Sequence, residues 1–90
     1  MSYPIDMNDL QYDLKTWTEK QFPQRTLQSI LRHLEKEIQE LEAEPNDIME
    51  FADCFMLLLD AASYQDISIS DIWRAMGEKL EINKARKGRS

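Results

Sequence analysis

Residues 47–63 read DIMEFADCFMLLLDAAS, and this stretch decides the fold. At about 100° per residue, its apolar side chains cover nearly the whole circumference of a helix. A helix that is apolar on all sides is typical of a buried central element, so the sequence predicts a helix with neighbours on most sides. Glu50, Asp53 and Asp60 interrupt the apolar surface along one narrow stripe.

The acidic stripe has two interpretations. Glu50 and Asp53 are one helical turn apart, so their carboxylates can reach the same point in space. Buried carboxylates are unfavourable unless they are paired or bind a cation, which favours a Mg²⁺ site. Alternatively, the stripe faces solvent or a basic neighbour.

The size and composition of the chain predict one small helical domain over residues 1–90. Two glycines and three prolines are too few for a fold with many turns, and helix-forming residues are abundant, so we expect an all-α fold. A domain this short buries only about 60% of the surface that its unfolded chain exposes. We therefore expect further copies of the chain to cover the central helix, in a homodimer or a homotetramer.

Charge and hydropathy limit the partners. The formal net charge of −6 opposes sequence-independent binding to nucleic acid, which requires a basic surface. No apolar run reaches the ~20 residues of a membrane span, and the N-terminus lacks the pattern of a signal peptide. The single cysteine, Cys54, is expected to be a free thiol in the core. We expect a cytoplasmic protein that binds neither nucleic acid nor a membrane.

Three further helices are predicted around the central one. The first covers residues 8–20, with Asn8 as its cap, and the second covers residues 26–43. The fourth begins at a cap formed by Ser68 or Ser70.

A sharp break at Pro45 separates the second helix from the third, and Asn46 or Asp47 can cap the third. A connection this short predicts an antiparallel hairpin, in which the acidic edge of the second helix approaches the acidic stripe of the third. Four carboxylates would repel one another there without a cation. Oxygen ligands of this kind suit Mg²⁺ or Mn²⁺. The four residues are Glu37, Glu40, Glu50 and Asp53.

Two other side chains near the predicted core have two interpretations each. Trp17 is expected to anchor the core or an interface, and the alternative is that it stacks on a nucleobase. His33 lies one turn before Glu37. It is expected to be a hydrogen-bonded structural residue, and the alternative is a ligand-binding role.

The fourth helix carries a basic edge formed by Lys79, Asn83 and Arg86. Cations near a helix C-terminus are favoured by the helix dipole alone. The same three side chains also suit a phosphate-binding clamp. Because this edge borders the apolar stripe of the helix, packing is expected to turn Lys79 and Arg86 towards the core.

Together these motifs resemble the MazG-like all-α nucleoside triphosphate pyrophosphohydrolases, and in particular the small phage-type dATP/dGTP pyrophosphohydrolase domains. The similarity lies in an E-x-x-E motif, an E-x-x-D motif on the next helix, and a final K-x-x-x-N-x-x-R. The chain departs from the fuller E-E-x-x-E pattern at Lys36, and the gap between its acidic pairs is shorter. The residues that carry the resemblance are Glu37 and Glu40, Glu50 and Asp53, and Lys79, Asn83 and Arg86.

The resemblance implies an oligomeric four-helix MazG-like bundle that hydrolyses (deoxy)nucleoside triphosphates, dATP or dGTP among them, to the monophosphate and pyrophosphate. It implies Mg²⁺ as the cofactor, with Mn²⁺ as a substitute, and attack of water on the α-phosphorus. The alternatives are a helical interaction or regulatory module without activity, and a degenerate homologue that binds nucleotide. The implied roles are metal binding by Glu37, Glu40, Glu50 and Asp53, catalysis by Glu37, Glu40 and Asp60, and substrate binding by Lys79, Asn83 and Arg86.

Overall fold

The structure of the protein is a computed structural model that describes residues 6–86. Within this range no strand is present, which confirms the all-α fold class. None of the helices in this range combines the length and the apolarity that crossing a membrane requires. The four helices are α1 (Met7–Gln21), α2 (Leu27–Ala43), α3 (Ile48–Tyr64) and α4 (Ile69–Ala85).

Side-chain caps fix where the helices begin. Asp47 and Ser68 cap α3 and α4, as the sequence predicts. The predicted cap of α1 is wrong, because the Asp6 carboxylate accepts the backbone N–H of Asn8 at 2.8 Å and Asn8 lies inside the first turn. Asp6 and Asn8 both have a side-chain oxygen that can accept a hydrogen bond at a helix start, and the sequence alone does not identify which of the two is the cap.

Helix α3 is the central element, because it packs against both α2 and α1. The α2–α3 hairpin is the most extensive contact of the fold, and a short link closes it, in which the N–H of Asp47 donates to the carbonyl of Glu44 at 3.1 Å. Helix α4 packs mainly against α1. Ile30 of α2, Leu14 of α1 and Leu59 of α3 are the large buried apolar side chains between these helices.

The predicted neighbours on most sides of α3 are not all supplied within a single chain, and cover by further copies of the chain stays a prediction. The inner face of α3 buries Cys54 and Leu59, but Phe55 is 66% exposed and Leu58 is 51% exposed. The reason is the placement of α4, which lies beside α1 and leaves the outer face of α3 without cover. The helical periodicity of the sequence correctly predicts the apolar surface of α3, but it does not identify the element that covers this surface.

The link between α3 and α4 is held in one geometry. Asp66 has a φ of 59°, in the left-handed region that Asp and Asn tolerate better than most residues. The N–H of Ile67 donates back to the carbonyl of Ala62 at 2.8 Å, and that of Asp66 donates to Ser63 at 3.0 Å. This is a Schellman arrangement, which satisfies the last carbonyls of α3 and turns the chain sharply.

The side chain of Gln11 on α1 holds this link through three hydrogen bonds. Its buried side-chain amide donates to the Ser63 hydroxyl at 3.1 Å and to the Ile67 carbonyl at 2.9 Å. Its oxygen accepts the backbone N–H of Ile69 at 2.7 Å. One side chain therefore fixes both the end of α3 and the start of α4 relative to α1.

A buried ion pair ties the α1–α2 link to α3. The Nε and Nη2 atoms of Arg25 each donate to one carboxylate oxygen of Asp60 at 3.2 Å. The hydroxyl of Thr18 on α1 donates to the same carboxylate at 3.1 Å. The two ionic side chains are only 11% and 6% exposed, so each depends on the other to remain charged inside the protein.

We expect Arg25→Met to reduce the free energy of unfolding by about 3–5 kcal/mol, because it leaves the Asp60 carboxylate buried and unpaired. Arg32→Met is the matched control, since Arg32 pairs with Glu35 on the surface and such pairs contribute about 0–1 kcal/mol. Urea unfolding measures both. Equal losses in the two variants would contradict this account of the buried pair.

Candidate functional site

Three carboxylates meet where α2 faces the beginning of α3. Glu37 and Glu40 are one turn apart on α2, and Glu50 lies in the first turn of α3. One oxygen atom from each of the three lies within 4.8 Å of the other two. The structure thus brings together three of the four carboxylates whose convergence the sequence predicts, and we call them the carboxylate cluster.

Glu50 is the most constrained member of the cluster. Its Oε1 atom is buried and has no hydrogen-bond partner among the described residues. Burial, followed by the nearby charges of Glu40, Asp47 and Asp53, raises the pKa of Glu50 above its usual value. An uncompensated oxygen surrounded by carboxylates is an arrangement that a divalent cation with a preference for oxygen ligands fits.

Asp53, the fourth predicted ligand, is not one of the three mutually close carboxylates. It lies one turn after Glu50 and is exposed. Its charge contributes to the raised pKa of Glu50, so it stands near the edge of the cluster.

His33 is the neighbour of the cluster on α2. Its Nε2 atom lies 3.5 Å from Oε2 of Glu37, and the Glu37 side chain is only 14% exposed while that of His33 is 60% exposed. The imidazole therefore flanks Glu37 on its solvent side. Whether His33 also contacts a ligand remains a prediction.

A cavity of about 810 Å³ opens between α1, α2 and α3, beside the cluster. Glu37 and Asp53 line one end of it, and Arg25 and Asp60 line the other. Along α3 the two ends are seven residues apart, which corresponds to about 10 Å of helix. Most of the wall between them is apolar, and cavities of this kind, with a few polar groups, are typical small-molecule sites.

Trp17 and Phe22 form an aromatic pair on the cavity wall, edge to face, with ring centroids 5.8 Å apart. The interpretation of Trp17 as a core anchor is wrong for a single chain, because its side chain is 52% exposed. Trp17 faces the cavity, a space that none of the four described helices fills. An interface or stacking role remains a prediction.

Asp60 lies away from the cluster, at the opposite end of the cavity, and its carboxylate accepts hydrogen bonds from Arg25 and Thr18. Its catalytic role remains a prediction. Sequence reasoning did not single out Arg25, because 35 residues separate it from Asp60 and no local spacing connects the two.

The basic edge of α4 does not face the core in a single chain. Lys79 and Arg86 are exposed, so the prediction that packing turns them inwards is wrong there. The described contacts of α4 involve its first turns, where Ser70 donates to the Asn8 side chain at 3.0 Å. Asn83 is half-buried, and its Oδ1 atom is buried with no hydrogen-bond partner among residues 6–86. Substrate binding by these three residues remains a prediction.

Cys54 is a buried free thiol, as expected. Burial, and then the charge of Glu37, raises the pKa of the Cys54 thiol. A raised pKa keeps the sulfur protonated and unreactive.

Comparison with known proteins identifies relatives of the chain. Residues 10–89 match the family model described as dATP/dGTP pyrophosphohydrolase. A protein of Salmonella phage PMBT28 named dATP/dGTP diphosphohydrolase is 39% identical over 79 residues, which are 87% of this chain and 26% of that protein. The Eaa protein of Salmonella phage P22 is 53% identical over 45 residues, which are 50% of this chain and 14% of that protein. The chain thus spans about a quarter or less of these relatives. No solved structure matches it significantly.

The crowding of the cluster predicts a pH effect on stability. Because the pKa of Glu50 is raised in the folded state, that state binds the proton more tightly than the unfolded chain does. Without divalent metal, the contribution of Glu50 to stability should therefore increase as the pH falls through its folded-state pKa towards 4.5.

Glu50→Gln should raise the melting temperature at neutral pH and remove this contribution. Thermal unfolding across that pH range, in the presence of a chelator, measures the effect. Glu42→Gln is the control, since Glu42 is an exposed acid of α2 outside the cluster. If the two variants gave the same pH profile, the crowding at Glu50 would have no energetic consequence.

Proposed function

The chain belongs to the dATP/dGTP pyrophosphohydrolase family, and from this membership we propose that it hydrolyses purine deoxynucleoside triphosphates to the monophosphate and pyrophosphate with Mg²⁺. The observation that carries the proposal is the convergence of Glu37, Glu40 and Glu50 beside a cavity large enough for a nucleotide. The name of the phage PMBT28 relative supports the purine deoxynucleotide as substrate.

We assign Mg²⁺ binding to the carboxylate cluster, with Asp53 as a fourth ligand and Mn²⁺ as a substitute. The unpartnered buried oxygen of Glu50 supports the assignment, because a cation would offset its desolvation. When bound, Mg²⁺ would neutralise phosphate charge and lower the pKa of a water molecule at the site.

The chain's own residues would orient the attacking water and hold the substrate. Glu40 is the exposed member of the cluster, so its carboxylate is the one that a water molecule reaches most easily. Glu37 and Glu40 are assigned to accepting hydrogen bonds from this water. Lys36 is exposed at the position where the family pattern has an acid, so the water depends on these two carboxylates. Asp60 is assigned a positioning role through Arg25, which it holds in the cavity.

Phosphate binding is assigned to Lys79, Asn83 and Arg86, and it is linked to oligomerisation. In one chain, α4 exposes both the two basic side chains and most of its apolar stripe, including Trp73 at 69%. The outer face of α3 is also exposed, with Phe55 at 66%. Two such faces on one small molecule are unfavourable in water and favour cover by a second copy. We propose a homodimer or homotetramer in which another copy packs on these two faces. The same packing would fix the positions of the side chains on the basic edge.

A helical interaction module without activity is the second candidate function. The observation that favours it is the same exposed apolar face of α3 and α4, which marks an interaction surface whether or not the chain is an enzyme. An assay of nucleotide hydrolysis distinguishes the hydrolase from the interaction module.

We expect the purified chain to release pyrophosphate and the monophosphate from dATP or dGTP only when Mg²⁺ or Mn²⁺ is present. Glu50→Gln and Asp53→Asn should each lower kcat/KM by about a hundredfold or more. Each change removes a carboxylate ligand of the cation whose charge would stabilise the transition state. A panel of nucleotides, assayed for both products, measures this, and calorimetry measures metal binding. If the parent hydrolyses no nucleotide, the proposal is wrong and the interaction module takes its place.

The same assay tests the basic edge. Lys79→Ala and Arg86→Ala should lower kcat/KM about ten- to a hundredfold without changing metal affinity, because each removes a charge-assisted hydrogen bond. Arg86→Lys should recover little, since an ammonium does not reproduce the planar fork. Lys84→Ala is the control, because Lys84 lies on the same helix but pairs with Glu81. If both alanine variants hydrolyse the nucleotides at the parental rate, the basic edge is not part of the site.

We expect the parent to sediment at micromolar concentration as a dimer or tetramer, and Leu58→Glu to shift it to the mass of one chain. A buried charge on the outer face of α3 would oppose association because it loses its hydration. Tyr12→Glu is the control, since Tyr12 is a 73% exposed residue of α1. A parent mass equal to one chain would refute the oligomer.

A further inference from the structure

The end of the cavity opposite the carboxylate cluster has its own chemistry. Arg25 and Asp60 line it, together with the hydroxyl of Thr18 and the exposed rings of Trp17 and Phe22. The metal-binding proposal uses none of these side chains. An aromatic wall beside a fixed polar group is an arrangement that suits a nucleobase, which has a flat face for stacking and an edge for hydrogen bonding.

Arg25 retains hydrogen-bond donors after it has paired with Asp60. A guanidinium group carries N–H donors on three nitrogen atoms, and Asp60 accepts from Nε and Nη2. Among residues 6–86, Asp60 is the side chain that accepts from Arg25, so both N–H groups on Nη1 and the second N–H on Nη2 remain for a ligand. Because Arg25 lines the cavity, that ligand would occupy the cavity.

The orientation of these donors is fixed before any ligand binds. Asp60 holds the guanidinium through two hydrogen bonds, and the guanidinium also lies over the ring of Tyr64, 5.5 Å from its centroid. The Arg25 side chain is only 11% exposed. A donor held in this way loses little conformational freedom when it binds a ligand, which increases its contribution to selectivity.

The charge of the pair indicates which part of a nucleotide it contacts. Asp60 neutralises Arg25 at close range, so the pair presents N–H donors without a net positive charge. A triphosphate requires net positive charge, and the carboxylate cluster with its cation would supply that at the other end of the cavity. Neutral acceptor atoms, such as those on a base edge, suit the Arg25 end.

The spacing agrees with this division. Asp53 and Asp60 are seven residues apart on α3, so the polar ends of the cavity are separated by about 10 Å along this helix. A nucleotide whose α-phosphate lies beside the cluster would extend its base along the cavity towards Arg25.

We propose that Arg25 is a specificity-determining residue that donates hydrogen bonds to O6 and N7 of guanine while the base stacks on Trp17. Guanine presents two adjacent acceptors on this edge, which match a guanidinium, whereas adenine presents an amino donor in place of O6. The inference rests on the proposed function and deepens it, because it assigns the preferred purine as guanine. Sites built to hydrogen-bond a substrate group discriminate strongly against analogues that lack it.

The test uses purine analogues that each change one atom or group of the base. We expect dITP, which keeps O6 and N7 but lacks the 2-amino group, to match dGTP in kcat/KM within about threefold. The 2,6-diaminopurine nucleotide, which has an amino group in place of O6, and 7-deaza-dGTP, which lacks N7, should each be about ten- to a hundredfold poorer. The inference is overturned if both match dGTP, or if dATP is the preferred purine.

Arg25→Lys tests the residue itself, with Arg32→Lys as the control. Lysine keeps the positive charge beside Asp60 but lacks the planar pair of N–H donors of a guanidinium. The ratio of kcat/KM for dGTP to that for the diaminopurine nucleotide should therefore fall to within about threefold of unity. A purely structural role would lower kcat/KM for both nucleotides equally and leave their ratio unchanged, and so would contact with phosphate. An unchanged ratio therefore overturns the proposal.

Binding of the monophosphates separates this inference from the proposed hydrolysis. Equilibrium binding of dGMP, dIMP and 2,6-diaminopurine deoxynucleoside monophosphate, followed by Trp17 fluorescence in a Trp73→Phe background, involves no chemistry. The analogue order dGMP ≈ dIMP > diaminopurine in a chain that hydrolyses nothing would support base recognition by Arg25 and refute the hydrolase. Hydrolysis of dGTP with no analogue order in either measurement would leave the hydrolase and overturn the role of Arg25.

Discussion

The packing of α2 on α3 is the constraint on which the rest of the structure depends. Packing of α2 on α3 holds Glu37, Glu40 and Glu50 together, although their mutual charge and the burial of a Glu50 oxygen oppose that packing. The apolar contacts of the hairpin must therefore outweigh the repulsion, and among the described residues they do so with few buried apolar side chains. The electrostatic cost to stability is concentrated at one place in the hairpin, the carboxylate cluster.

The two ends of the cavity differ in whether their carboxylates are paired with a cationic side chain. At one end, Arg25 neutralises Asp60 and leaves a polar but uncharged surface. At the other, Glu37 and Glu50 have no cationic side chain of comparable closeness among the described residues, apart from His33 when it is protonated. One end of the cavity therefore carries excess negative charge, which favours a cation, and the other end offers hydrogen-bond donors without net charge.

Local patterns made the helices and the convergence of three acidic side chains predictable, and distance along the chain limited the rest. Helical periodicity predicted the four helices, and the short link at Pro45 predicted that Glu37 and Glu40 lie opposite Glu50. The Arg25–Asp60 pair was not predictable, because 35 residues separate its members and it depends on how α1 packs. The sequence also predicted that α3 needs cover from outside one chain, but an apolar surface in a sequence does not identify what covers it.

The later turns of α4 have little cover in a single chain. Gln11 fixes the link to its first turn, and its packing is mainly against α1, so nothing described within the chain draws its later turns onto α3. The half-buried Asn83, with an unpartnered oxygen, lies in those later turns. The described contacts therefore fix α4 at its first turn. Lys79 and Arg86 lie at the far end of the helix, where these contacts leave both side chains in solvent.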